Sequence, residues 1–121
     1  MIIYCDGGTR GNTICLVHDD KIIVKTRGGE LTNNELEYLA LIYTLEYIDT
    51  NNLKNVKIYS DSKLIVMQVN GTYRVTTDNL IKLHRKTIQK MLRCCGVQIR
   101  WIKRDKNKAG RHLEKIKHSL K

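Results

Sequence analysis

Apolar and polar positions divide the chain into short blocks with two different periods. Ile2-Ile3-Tyr4-Cys5 is an apolar run halted by Asp6-Gly7-Gly8, which reads as a buried strand stopped by a flexible turn, with Asp6 at or near the strand end. Two further runs, 14–17 and 22–24, flank His18-Asp19-Asp20-Lys21 as hairpin arms flank their loop, so an antiparallel meander of three strands is expected. Thr32 followed three residues on by Glu35 matches a capping box. Leu36, Leu39, Ala40, Tyr43 and Tyr47 then recur at helical spacing, which predicts a helix over 33–49.

Val56-Lys57-Ile58-Tyr59 alternates as a strand and is cut by Ser60-Asp61-Ser62, after which 64–69 reads as a helix ended by Asn70-Gly71. Another helix begins at Asp78, with Leu80, Ile81, His84, Ile88, Met91 and Leu92 on one stripe and Lys82, Arg85, Lys86 and Lys90 off it. Val97, Ile99 and Trp101 alternate with Gln98 and Arg100 as a last strand, and Ala109, Leu113, Ile116 and Leu120 fit a last helix. The order βββαβααβα, whose helix-bearing crossovers imply parallel neighbours, predicts an α/β fold with a five-stranded mixed sheet covered by helices. Such sheets place their sites at the ends of the parallel strands. A chain of 121 residues that is 41% hydrophobic, with no repeat and no linker, is expected to be a single domain over 1–121.

The formal net charge of +10 says nothing about the fold, but it draws anionic partners, nucleic acid first. No apolar run approaches the roughly 18 residues needed to span a bilayer, and no signal or lipidation pattern opens the chain, so no membrane partner is expected. The expectation is a cytoplasmic monomer. The four cysteines (Cys5, Cys15, Cys94, Cys95) form no C-x-x-C pair, which argues against a zinc site or a redox motif and for reduced structural thiols.

Three acids stand out. Asp6 and Asp61 each end an apolar strand, and Glu37 lies in the first turns of a helix on the face that carries Leu41, Leu45 and Ile48. A carboxylate against apolar neighbours costs several kcal/mol unless a cation compensates it, and no lysine or arginine lies one turn away on that face. A bound cation is the simplest resolution. Hard oxygen ligands suit magnesium or manganese, and two such ions about 3.5 to 4 Å apart can activate water and stabilise the leaving oxygen of a phosphodiester. Taken singly, each acid has an ordinary explanation: Asp61 as a helix cap, Asp6-Gly7 as a turn, Glu37 as an exposed residue. Glu35 is accounted for by the capping box and is left out of the site.

Taken together, Asp6-Gly7-Gly8-Thr9-Arg10-Gly11-Asn12, Thr32-Asn33-Asn34-Glu35-Leu36-Glu37 and Tyr59-Ser60-Asp61-Ser62 resemble, in order and spacing, the signature of type I ribonuclease H. The resemblance continues through 68–75, Asn79-Leu80 and Trp101-Ile102-Lys103-Arg104, and is greatest to compact bacterial, archaeal and phage forms that lack a basic protrusion. It implies the ribonuclease H-like fold, with strands 1–3 antiparallel and strands 1, 4 and 5 parallel. It also implies endonucleolytic hydrolysis of the RNA strand of RNA/DNA hybrids to 5′-phosphate and 3′-hydroxyl ends. Catalysis in the family uses two Mg2+ ions, for which Mn2+ can substitute, and Asp6, Glu37 and Asp61 fall on its first three metal carboxylates. Substrate contacts are implied for Gly7, Gly8 and Asn12 in the first loop and for Thr32, Asn33 and Asn34 in the second, polar groups able to meet 2′-hydroxyls and phosphates. Tyr73 and Arg74, past the second helix, are candidates for the DNA strand.

The chain departs from the family in three places. Thr13 runs directly into strand where a proline- and glycine-rich stretch is usual, the separate basic helix of some members is missing, and the fourth aspartate is absent. Matching the family's Asn-x-x-Ala-Asp segment on Ala109 puts Gly110 in its place, and matching on Asn107 puts Arg111 there. Glu114, about one turn further on roughly the same face, is expected to substitute as a catalytic carboxylate, the alternative being a solvated acid facing Arg111 or Lys117. His112 is a candidate for proton transfer or product release, or else simply exposed. Residues 101–121 carry eight Lys or Arg against Asp105 and Glu114, which with the basic side of the third helix predicts a cationic groove beside the acids. Two other classes compete: a catalytically weakened protein that binds hybrid or double-stranded RNA, and another phosphoryl-transfer enzyme on the same fold. Against the latter, proofreading exonucleases open with Asp-x-Glu, which Asp6-Gly7-Gly8 lacks, and transposases need more chain.

Overall fold

The computed structural model describes residues 1–9 and 11–119; Arg10, Leu120 and Lys121 lie outside the described residues. β1 (Ile2–Gly8), β2 (Thr13–His18) and β3 (Lys21–Thr26) form the expected antiparallel meander, the β2–β3 hairpin closing through Asp19-Asp20 with Asp19 at φ 54°. β1 also pairs parallel with β4 (Lys57–Ser60), and β4 pairs parallel with β5 (Gln98–Trp101), giving a five-stranded mixed sheet in the order β3-β2-β1-β4-β5. The helices are α1 (Asn33–Thr50), α2 (Lys63–Val69), α3 (Asp78–Met91) and α4 (Lys108–Ser119), with a short 3-10 turn over Arg104–Lys106.

Strand alternation divides the core between the two faces of the sheet. Ile3, Cys5, Ile14 and Leu16 pack under α1, while Tyr4, Cys15 and Val17 meet Ala109 and Leu113 of α4. α1 starts where the capping box places it: Glu35 N–H donates to Thr32 Oγ1 at 3.1 Å, and Thr32 N–H donates to Glu35 Oε1 at 2.9 Å. No helix among the described residues is long and apolar enough to cross a membrane. All four cysteines are free thiols.

Two local features differ from the sequence pattern. β1 does not stop at Cys5 but continues through Asp6 to Gly8, with Gly7 opposite Ile14. Gly7 is a packing glycine rather than a turn glycine, because a Cβ there would fall against the Leu36 carbonyl and 2.9 Å from the Glu37 nitrogen. The apolar stripe of α3 ends at Met91, since Leu92 is the C-cap and is 82% exposed; Leu80 and Thr87 are the buried residues of that helix.

Candidate active site

β1 and β4 are parallel neighbours, so the residues near their carboxyl ends lie side by side. Asp6 is the third residue from the end of β1, and Asp61 directly follows Ser60, the last of β4. Glu37 comes from the second turn of α1, which Gly7 allows to lie close against β1; the Gly7 N–H donates to Glu37 Oε1 at 2.7 Å. One oxygen from each of Asp6, Glu37 and Asp61 lies within 4.8 Å of the others. Asp6 is 1% exposed and Glu37 6% exposed.

Asp61 is not a helix cap. Ser62 takes that position, its hydroxyl accepting from Ile65 N–H at 3.4 Å, and the Asp61 carboxylate instead accepts from Asn107 Nδ2 at 2.9 Å. Asn107 is fully buried and ties three elements together: Nδ2 also donates to the Cys5 carbonyl at 3.0 Å, and Oδ1 accepts from Ala109 N–H at 3.1 Å. The indole Nε1–H of Trp101 donates to the Asp61 carbonyl oxygen at 3.2 Å, which pins the backbone behind the carboxylate.

Three acids this close repel one another and have lost much of their water. Burial, then Asp61, pushes the Asp6 carboxyl up to about 6, with Arg104 pulling the other way. Burial, then Asp6, pushes Glu37 well above the ordinary carboxylate range. Arg104 offers the compensating cation: Nη1 lies 3.3 Å from Asp6 Oδ1 and 3.2 Å from Asp61 Oδ2, and Nη2 donates to Glu114 Oε1 at 3.1 Å. Burial works to lower the proton affinity of the guanidinium, but Asp6, Asp61 and Glu114 outweigh it and hold it above its usual value.

The residues singled out in the sequence are placed unequally. Gly7, Gly8, Asn33 and Glu114 line the same cleft of about 250 Å³ as Asp6, Glu37 and Asp61. Asn12 stands beside that cleft at φ 47°, its Nδ2 donating to the Gly29 carbonyl at 2.6 Å, so it ties the β1–β2 loop to the β3–α1 loop. The Thr32 hydroxyl is engaged in capping α1, and Asn34 is half-buried in its first turn. Tyr73 and Arg74 are exposed in the α2–α3 connection and do not line the cleft. Gly110, rather than Arg111, faces the acids: a Cβ on Gly110 would lie 3.1 Å from Asp61 Oδ2 and 3.4 Å from Asp6 Oδ2, whereas Arg111 is exposed. His112 is half-buried in a separate groove with Asp20 and Lys115.

Arg104 and Asn107 were not assigned any part in the site from the sequence. Asn107 had a signal, as the first residue of the segment searched for a fourth aspartate. Arg104 closes the Trp101-Ile102-Lys103-Arg104 segment that continues the resemblance, but nothing in the sequence pointed it at the acids rather than the seven other cations in the last 21 residues. The donor set itself, three carboxylates converging from a strand, a strand end and a helix with two of them buried, fits a hard divalent cation.

A family model described as reverse transcriptase-like matches residues 6–115. The bifunctional protein Rv2228c of Mycobacterium tuberculosis is 27% identical over 117 residues, an alignment that takes in 88% of this chain and 32% of that protein; the chain thus spans about a third of the length of the curated relatives it matches. RNase H1 from the halophilic archaeon Halobacterium salinarum NRC-1 superposes with a TM-score of 0.80 at 25% identity, over 93% of this chain and 92% of that one. LC11-RNase H1, isolated from compost by a metagenomic approach, is 34% identical with a TM-score of 0.77, over 99% of this chain and 97% of that one. A structure of LC11-RNase H1 in complex with RNA/DNA hybrid gives a TM-score of 0.79 at 30% identity, over 99% of both chains. With a family model covering most of its length and solved ribonucleases superposing along nearly all of it, this chain belongs to the type I ribonuclease H family of enzymes.

Proposed function

We propose that this chain is a metal-dependent endoribonuclease that hydrolyses the RNA strand of RNA/DNA hybrids, leaving 5′-phosphate and 3′-hydroxyl ends. The observation that carries the proposal is the meeting of Asp6, Glu37 and Asp61 within 4.8 Å at the end of two parallel strands. Those three carboxylates are the proposed ligands of two Mg2+ ions, with Mn2+ able to substitute. Bound there, the ions supply an activated water and stabilise charge on the leaving oxygen.

The remaining work falls to the chain. Gly8 leaves open space where a side chain would stand, and Gly7, whose missing Cβ faces α1, borders the cleft with its backbone, so a sugar-phosphate backbone can approach the acids closely. Asn33 contributes an amide at the cleft, while Thr32 and Asn34 shape the helix start beside it, where backbone N–H groups favour anions. Asn12 holds the two loops in register, and Tyr73 and Arg74 are assigned to the DNA strand. Glu114, bordering the cleft, is the proposed fourth carboxylate, separated from Asp6 and Asp61 by the Arg104 guanidinium. Exposed Lys82, Arg85 and Lys86 of α3 offer backbone neutralisation. The proposal takes residues 1–121 as one domain acting as a monomer in the cytoplasm.

Incubation with Mg2+ and labelled RNA/DNA hybrid, RNA duplex or DNA duplex tests the reading. Internal cuts confined to the RNA of the hybrid are expected; end-directed or DNA cleavage overturns it. Gly110, which lacks any carboxylate at the position facing the acids, favours one other reading, a protein that binds hybrid or double-stranded RNA without cutting it. Binding without product in the same assay selects that reading.

A further inference from the structure

We infer that Arg104 is a resident counter-cation of the carboxylate cluster, seated so that a divalent metal must displace it to bind. The inference rests on reading Asp6, Glu37 and Asp61 as metal ligands, and it concerns what holds those acids when no metal does.

A single nitrogen, Nη1, lies 3.3 and 3.4 Å from the two oxygens of Asp6 and 3.3 and 3.2 Å from the two oxygens of Asp61. This is not the paired, parallel contact that a guanidinium makes with one carboxylate at about 2.7 to 2.9 Å. One positively charged group is shared among four oxygens of two acids, the position a bridging cation takes. A nitrogen 3.2 to 3.4 Å from all four oxygens fills the space between the two carboxylates and carries positive charge there, so a divalent cation bridging the same pair competes with it for place and meets its repulsion.

The neighbouring chain makes room for this arrangement. A Cβ on Gly110 would stand 3.5 Å from Arg104 Nη1, besides crowding Asp61 and Asp6, so a larger residue at 110 would press on the guanidinium's place. Glu114, one turn later on α4, holds the second nitrogen at 3.1 Å. The arginine side chain is 52% exposed, so an outward path to water is open to it. Asp6, by contrast, is 1% exposed and cannot relieve its charge by moving into solvent. The departure of Arg104 also removes the group that stands between Glu114 and the cluster.

Competition of this kind is read directly as metal affinity, without nucleic acid. Mn2+ is titrated into the full chain and the free ion followed by its electron paramagnetic resonance signal, for the wild type, Arg104→Ala, Arg104→Gln and Lys108→Ala. Lys108 is an exposed cation at the start of α4 whose Nζ sits 5.6 Å from the centre of the Tyr4 ring, so its loss removes one charge without vacating the cluster. Both Arg104 variants are expected to bind Mn2+ about tenfold more tightly than wild type, and Lys108→Ala to differ by less than about twofold. The metal-free Arg104 variants should also melt at a lower temperature than metal-free wild type and regain the difference when Mn2+ is added. Arg104 variants that are folded by circular dichroism yet bind no more tightly overturn the inference, and so does an equal gain for Lys108→Ala, which would mark a general field effect. Absence of Mn2+ binding in every protein, the Arg104 variants included, overturns the metal reading itself.

Discussion

The Gly7 N–H donates to Glu37 Oε1 at 2.7 Å, so the helix carboxylate is held by the same strand that carries Asp6. That contact depends on the absence of a side chain at Gly7, where a Cβ would press on the Leu36 carbonyl and the Glu37 nitrogen. Gly7→Ala is therefore expected to push α1 off β1 and to lower stability by about 1 to 3 kcal/mol, the usual range for overpacking. Gly8, whose Cβ would meet nothing within 4 Å, is the control. Urea unfolding should leave Gly8→Ala within about 0.5 kcal/mol of wild type.

The acids themselves should be indispensable. Asp6→Asn, Glu37→Gln and Asp61→Asn preserve shape but remove the charge that holds a cation, and each is expected to lower hybrid cleavage by at least about 10³-fold, roughly 4 kcal/mol of barrier. Circular dichroism should show all three folded. A variant that retains hybrid degradation within about tenfold of wild type removes that residue from the metal site.

What could be read from the sequence follows how local each cause is. The α1 start was legible because Thr32 and Glu35 satisfy each other's backbone N–H groups three residues apart. The β2–β3 hairpin was legible from Asp19-Asp20 between two apolar runs. Glu37 was legible because a charge on the face of Leu41, Leu45 and Ile48 has no bland explanation once that face is buried. Gly7 was misread as a turn because its constraint comes from Leu36, remote in sequence and adjacent only after α1 docks. The contact of Arg104 with the acids was not legible for a similar reason. Which of eight C-terminal cations points at the acids is decided by the 3-10 turn that bears it and by Asn107, whose amide fastens the following segment to Cys5 and Asp61.

Acid pH should stabilise the metal-free protein at Asp6. Its carboxyl stands at about 6 in the folded chain against 3.8 ordinarily, with burial and then Asp61 as the cause. Between those values the native state binds a proton that the unfolded state has released, so this contribution is present below about pH 4 and is lost as pH rises through about 6. The loss amounts to roughly 3 kcal/mol at neutral pH. In EDTA, Asp6→Asn is expected to melt higher than wild type at pH 7.5, with the gap closing toward pH 4. Mg2+ at pH 7.5 should raise the wild type selectively. A pH-independent gap overturns the assignment of this shift to Asp6.

Hybrid binding should fall steeply with salt. A net charge of +10, with Lys82, Arg85 and Lys86 exposed along α3, favours release of counterions from the nucleic-acid backbone. Fluorescence anisotropy in Ca2+ between about 50 and 200 mM salt is expected to show an affinity loss of at least about 10²-fold. Replacing Lys82, Arg85 and Lys86 together by Ala should flatten the slope by up to about three units of log-log dependence. An unchanged slope would place the nucleic acid elsewhere on the surface.

Glu114 presents the sharpest test, because its two proposed relations to the cluster predict different kinetics. Its oxygen lies 3.1 Å from Arg104 Nη2 and borders the cleft, one helical turn beyond the glycine that faces Asp61. If it serves as the fourth carboxylate once Arg104 has moved aside, Glu114→Gln removes a charge used in the reaction itself. Turnover at saturating Mg2+ should then fall by about 10- to 100-fold, some 1.4 to 2.8 kcal/mol of barrier. If it only retains Arg104, the amide loosens that arginine's hold, and the effect should appear as a shifted Mg2+ requirement with turnover at saturation unchanged. A change in saturated turnover below about twofold removes Glu114 from the chemistry and leaves it as the seat of Arg104.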